Sequence, residues 1–206
     1  MNINNIKIRN AKIKDIEKIL EIEHNSFDKN ICEDRKVFID RIETFNKGFL
    51  VAEYENEIIG YICSEIWLYN ENLEESSFLL NHSIKKSHKA TGDELYISSF
   101  AISPKARKYG IGKILFNYLT DNVDKLVINP KSLLLVVAEN WMSARNIYIK
   151  NGFHEVCKLK DFFDYSDIKA FKADGIVMRK LLNYNPSHSF EDGIKLTIDW
   201  YKKNLY

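Results

Sequence analysis

The sequence predicts a mixed α/β domain with a mostly antiparallel sheet flanked by helices, followed by a short helical tail. Three observations lead there. Strand-like alternation and helix-like periodicity follow one another in the order β-α-α-β-β-β-α-β-α-β-β. Residues 94–113 run from an apolar strand through Pro104 into a basic, glycine-bearing turn and on into a helix. Residues 133–137 form one continuous apolar run, which suits a strand covered on both faces. The strand ending at Ile102 and the 133–137 strand are joined through a helix, so they are expected to be parallel. At 206 residues and 45% hydrophobic content, the chain can bury a sizeable core. We expect residues 1–182 to form the domain and 183–206 the tail.

Ile6 to Arg9 alternates as a short strand. Asp15 is expected to cap a helix carrying Ile16, Ile19, Leu20, Ile22 and Phe27. Residues 33–45 read as a second helix with Val37, Phe38, Ile42 and Phe45 on its apolar stripe. Strands at 49–54 and 58–63 flank Glu55-Asn56-Glu57 and predict a hairpin. Residues 69–92 are polar and aperiodic; so long a connection usually carries function or moves. The strand to Ile102, a helix to about Asp124, the 133–137 strand and a helix over about 141–151 follow. Strands near 154–159 and 174–180 are expected to finish the sheet.

The turn after Ile102 has the chemistry of a phosphate cradle. A helix N-terminus offers unpaired backbone N–H groups and the positive end of its dipole. Gly110 and Gly112 let the backbone approach a ligand without a Cβ, and Arg107, Lys108 and Lys113 add positive charge. The spacing lacks the Gly-x-x-x-x-Gly-Lys-Ser/Thr of a P-loop and the third glycine of a dinucleotide fingerprint.

Arg107-x-x-Gly110-x-Gly112 resembles the acyl-CoA pyrophosphate loop of the GNAT superfamily of N-acetyltransferases. Asn140 followed by Ala144-Arg-Asn-Ile-Tyr148-Ile-Lys-Asn-Gly152-Phe153 is similar to that family's Asn-x-x-Ala-x-x-Leu-Tyr-x-x-x-Gly-Phe signature, with one extra residue between Asn140 and Ala144. Residues 173–180 resemble the last strand of protein N-terminal alanine acetyltransferases; arylalkylamine acetyltransferases are more distant, since Tyr96 and Ser98 stand where their strand histidines do. The resemblance spans about residues 6–181. It implies a sheet that splays between the two parallel strands to admit acetyl-CoA as co-substrate. The backbone of Phe100, Ala101 and Ile102 would pair with the pantetheine arm. Arg107, Lys108, Tyr109, Gly110, Ile111, Gly112 and Lys113 would hold the pyrophosphate, with Asn140 as a further cofactor contact.

The implied reaction is direct attack of a primary amine on the thioester in a ternary complex. It needs a base for the amine and an acid for the leaving thiolate, and no covalent enzyme intermediate or metal. Tyr148 is the leading acid by its place in the motif. The family's usual base position on the loop-bearing strand falls on Tyr96. Glu94, two residues earlier on the same strand face, is the candidate carboxylate base, set against a plain strand-end role. The five histidines read as surface or locally bonded groups.

Acceptor selection is expected from the first two helices, residues 69–92 and the aromatic, aspartate-rich segment 161–167. The acceptor is a small amine or, as the alternative, a peptide N-terminus; a non-catalytic acyl-CoA-binding module is the third reading. Thirty basic against twenty-nine acidic residues, net +1, give no bulk charge for nucleic acid or membrane binding. No apolar run reaches membrane-spanning length. The N-terminus lacks a signal-peptide apolar region, and three scattered cysteines suit a reducing, cytoplasmic setting. Residues 186–206 carry Phe190, Ile194, Ile198, Tyr201 and Leu205 on one helical stripe. That segment is similar to the C-terminal helix of extended short-chain NDP-sugar epimerases and dehydratases, without a Rossmann domain before it. It would dock on the domain or on a second subunit in a homodimer.

Overall fold

The computed structural model describes residues 1–159 and 168–174. They build one seven-stranded sheet from β1 (Lys7–Asn10), β2 (Phe49–Tyr54), β3 (Glu57–Trp67), β4 (Glu94–Ile102), β5 (Ser132–Ala138), β6 (His154–Leu159) and β7 (Ile168–Asp174). The strands lie in the order β1-β2-β3-β4-β5-β7-β6. Neighbours are antiparallel except β4 and β5, which are parallel as expected from their helical connection. The helices are α1 (Ile16–His24), α2 (Arg35–Phe45), the single turn α3 (Ile84–Ser87), α4 (Ile111–Asp121) and α5 (Met142–Lys150).

Strand alternation sorts the core into two layers. Phe49 and Val51 of β2 face Ile16, Ile19 and Ile22 of α1 and Phe38 and Ile42 of α2. Leu50 and Ala52, one residue out of phase, belong to the opposite layer with Ile111, Leu115, Phe116 and Leu119 of α4. Each helix therefore spends its apolar stripe on one face of the same sheet. No helix among the described residues is long and apolar enough to cross a membrane.

Two expectations are corrected. The Asp15 carboxylate does not bond the first turn of α1; it accepts from Arg9 and from the Lys12 amide instead. The hairpin's second strand runs on to Trp67, because Ser64, Glu65 and Ile66 continue the pairing with β4. A strand at Ile168–Asp174 pairs between β5 and β6, with Phe171, Lys172 and Ala173 all buried; the expected 174–180 strand lies outside the described residues beyond Asp174. Residues 175–180, the 161–167 segment and the 186–206 tail lie outside the described residues. Within 69–92, buried Phe78 and Ile84 anchor the connection. Gly92 passes so close to Trp67 that a Cβ there would meet its carbonyl oxygen at 2.1 Å.

One irregularity in the sheet positions everything that follows. β4 pairs with β5 only from Glu94 to Ile97, while its pairing with β3 continues to Ile102. At that point β4 carries a bulge: Cys63 opposes Ser99 and Ser64 opposes Ile97, leaving Ser98 as the extra residue. A bulge bends its strand and sharpens the local twist, so β4 turns from β5 where the extra residue sits. From Ser98 onward, one backbone edge of β4 has no strand beside it among the described residues.

Candidate active site

A cleft of about 970 Å³ opens along that unpaired edge, a size suited to a cofactor-sized ligand. Ile97 to Ile102 line one side and Leu135 to Val137 of β5 the other. Phe100 packs against Phe116 of α4, with ring centroids 6.3 Å apart. Tyr148 of α5 faces the cleft, and its ring lies 5.3 Å from that of Phe116. Burial pushes the Tyr148 phenol well above its ordinary value, so its proton stays on through the neutral range.

The loop 107–113 closes the far end. Pro104 opens a short turn, Lys108 and Gly110 both take positive φ (71° and 78°), and α4 begins at Ile111. This turn presents the first amides of α4 to the cleft, where Gly110, Ile111, Gly112 and Lys113 all lie on its wall. Arg107 also lines it, and its guanidinium bonds the Ile102 carbonyl and Ser26 Oγ at 3.1 Å each. It thereby fixes the loop to the chain after α1. Tyr109 and Asn140 are exposed; only Asn140 lines the cleft. At Gly112 a Cβ would meet Phe100, Ile102 and Ile147 at ordinary contact distances, so the site tolerates alanine.

Gly110 is different: a Cβ there has open space, and the constraint is its φ of +78°. A β-branched residue pays the left-handed penalty of roughly 1–2 kcal/mol. Gly110→Val is therefore expected to weaken acetyl-CoA affinity about tenfold in calorimetric titration while the fold survives. Unchanged affinity would remove this loop from the binding site.

The second wall of the cleft comes from the chain after α1 and from the 69–92 connection. It is apolar at Phe27, Ile31, Phe78 and Leu79, and charged at Glu23, Glu33 and His82. Behind it lies a buried ionic cluster that sequence reasoning missed. Arg41 of α2 holds both oxygens of Glu33, one at 2.7 Å. Glu65 of β3, fully buried, takes bonds from His82, Ser87 and the Trp67 indole. The signals were present: Glu23 and Arg41 interrupt apolar helix faces, and Glu65 sits inside an otherwise apolar strand.

His82 Nδ1 faces the Leu79 carbonyl and Nε2 faces Glu65, so both ring nitrogens meet acceptors, which favours the imidazolium form. Burial opposes that charge, yet Glu65 outweighs it and raises the His82 pKa above 6.5. Burial likewise works against the Glu65 carboxylate, and His82 still lowers it below 4.5. The histidine's contribution to stability is complete below pH 6.5 and fades as pH rises through its raised value. The carboxylate's is complete above pH 4.5 and fades as pH falls through its lowered value. The stability difference between wild type and His82→Gln, followed by thermal melting, is expected to peak at about pH 5–6 and shrink toward pH 9. A difference that grows with pH contradicts the pairing.

The two other expected catalytic side chains have different surroundings. Tyr96 lies on the cleft wall, buried and stacked on Trp67 with centroids 4.0 Å apart, and burial pushes its phenol far above the ordinary range. Glu94 is not among the cleft-lining residues. Its carboxylate is buried at the start of β4, 2.7 Å from Lys172 Nζ and bonded by Ser132. That pair joins β4, β5 and β7 across the sheet.

A sheet that splays at a bulge, with a basic, glycine-bearing turn leading from the splayed strand into a helix, is the arrangement expected of the acyl-CoA-dependent transferases. Comparison with known proteins agrees. The Acetyltransferase (GNAT) family profile matches residues 13–153. An N-alpha-acetyltransferase of Sulfurisphaera tokodaii is 29% identical over 157 residues, covering 76% of this chain and 85% of that protein. The crystal structure of Ard1 from Thermoplasma volcanium superposes with a TM-score of 0.65 at 20% identity, over 82% of this chain and 97% of that one. The loading GNATL domain of CurA from Lyngbya majuscula does so with 0.70 at 15% identity, over 84% and 98%. The chain belongs to the GNAT acetyltransferase family and is an N-acetyltransferase.

Proposed function

We propose that this protein transfers the acetyl group of acetyl-CoA to the α-amine of a peptide N-terminus, in the cytoplasm, by direct attack in a ternary complex. The observation that carries the reading is the edge of β4 beyond Ile97, which no strand among the described residues covers and which leads directly into the loop 107–113. A pantetheine arm supplies the backbone partner this edge lacks, and the amides and cations at 107–113 suit its pyrophosphate. Acetyl-CoA, when bound, supplies the activated acyl group.

The amine nitrogen bonds to the acetyl carbon as the carbon–sulfur bond breaks, and Tyr148 gives its phenolic proton to the departing sulfur and regains one from solvent as CoA leaves. A peptide acceptor is favoured over a small amine by two facts. The aligned archaeal relative is named an N-alpha-acetyltransferase. The second wall also combines an apolar surface at Phe27, Ile31 and Phe78 with the carboxylate of Glu23, suited to an apolar first side chain and its amine.

Calorimetric titration with acetyl-CoA followed by CoA-release assays on short peptides, polyamines and arylalkylamines tests this reading. Micromolar binding and turnover with peptides are expected. No binding at millimolar acetyl-CoA ends the donor assignment, and turnover confined to small amines ends the peptide assignment.

A further inference from the structure

The amine must lose a proton, and Glu94 and Tyr96, the two groups expected to take it, are each otherwise engaged, as is His82 on the cleft wall. Glu94 is tied to Lys172 outside the cleft lining, Tyr96 is a buried phenol, and both His82 nitrogens face acceptors. A different set of groups reaches the cleft beside the bulge of β4. Ser99, the residue after the bulge, lines the cleft and lies 2.9 Å, Oγ to Oη, from Tyr61 of β3. The Tyr61 hydroxyl in turn donates to Glu23 of α1. Tyr61 is completely buried, with Phe38 at 5.6 Å and Phe49 at 6.1 Å between ring centroids. Three elements thus bring a half-buried hydroxyl, a buried hydroxyl and a buried carboxylate into one hydrogen-bonded line.

We propose that Ser99, Tyr61 and Glu23 form the route by which the acceptor amine is deprotonated, with Glu23 as the terminal base. The inference rests on the acetyl-transfer reading above. Ser99 Oγ accepts the proton from the amine, or from a water bonded to it, and passes its own to Tyr61. Tyr61 passes its own to the Glu23 carboxylate, which ends neutral, while both hydroxyls are restored. No free tyrosinate or alkoxide forms, so the high pKa of Tyr61 is no obstacle. Tyr148 supplies the separate proton for sulfur, and the two hydroxyl systems lie on opposite sides of β4.

The surroundings of Glu23 suit a base. It accepts from the Glu33 amide at 3.0 Å and from Tyr61, and no cation is bonded to it among the described residues. Arg41 is bonded to Glu33 and acts on Glu23 only through its charge. Glu33 beside it, Cys32 on the following loop and Cys63 on β3 are the other titratable groups that feel it. Burial, with the neighbouring Glu33 charge, raises the Glu23 carboxyl to about 7, against the lowering pull of its hydrogen bonds. That lies about one unit below an ordinary peptide α-amine and more than three below a lysine or polyamine amine, at about 8 and 10.4.

The test is kcat against pH at saturating acetyl-CoA and peptide for wild type, Glu23→Gln, Tyr61→Phe and Ser99→Ala, with acetyl-CoA affinity measured alongside. Wild type is expected to lose activity below about pH 7 on one ionisation, since kcat reports groups of the bound complex. Glu23→Gln is expected to turn over about a hundredfold more slowly and to lose that acid limb. Tyr61→Phe, which keeps the packed ring, and Ser99→Ala are expected to fall about tenfold. All three should bind acetyl-CoA as wild type does. Full activity in Tyr61→Phe or Ser99→Ala overturns the relay, and an unchanged acid limb in Glu23→Gln overturns the base. Failure of the underlying acetyl-transfer reading looks different: wild type itself then fails to bind acetyl-CoA.

Discussion

Replacing Arg41 with Met is expected to destabilise the protein by about 3–5 kcal/mol. Arg41 is 1% exposed, holds both oxygens of Glu33 and lies 5.8 Å over the Phe38 ring. Met fills much of the volume, so the loss comes from Glu33, left as an uncompensated buried carboxylate beside Glu23. Removing both charges, in Arg41→Met with Glu33→Leu, is expected to recover most of the loss, because a buried pair gains little over well-packed apolar groups. Urea denaturation of the two variants reads the difference. A single variant within about 1 kcal/mol of wild type, or a double variant worse than the single, contradicts this account of the cluster.

Tyr148→Phe is expected to lower kcat about a hundredfold, within the usual range for loss of a general acid, and to leave acetyl-CoA affinity within about twofold. The substitution keeps the ring that packs on Phe116 and Phe153, so folding is preserved and only the hydroxyl is lost. A purely packing role predicts unchanged turnover. The difference is read from initial rates of CoA release at saturating substrates.

The donor half of the site was legible in the sequence because it is local. Pro104, Gly110 and the apolar positions of α4 fix a strand–turn–helix within twenty residues, and the long apolar run of β5 places the parallel partner. The splay was legible only through family resemblance. Its physical cause is the Ser98 bulge, which arises from the register of β4 against β3 and has no signal in β4 alone. The deprotonating groups were not legible as a site, since Glu23, Tyr61 and Ser99 lie on three elements separated by 38 residues at each step. Glu94 drew attention as a carboxylate on the right strand face. Its partner, Lys172, lies 78 residues away in sequence, on β7, a strand that the sequence pattern did not pick out. Charged residues inside apolar patterns, such as Glu23, Arg41 and Glu65, were the unused clue: a buried charge requires a partner or a function.

The most direct test of the central claim uses a peptide with a free N-terminus, an apolar first residue and an internal lysine. The peptide is incubated with the protein and acetyl-CoA, and the product is mapped by fragmentation mass spectrometry. We predict a single acetyl group on the N-terminal nitrogen, formed with stoichiometric release of CoA. Acetylation confined to the lysine, or a peptide returned unmodified by protein that binds acetyl-CoA, would contradict it.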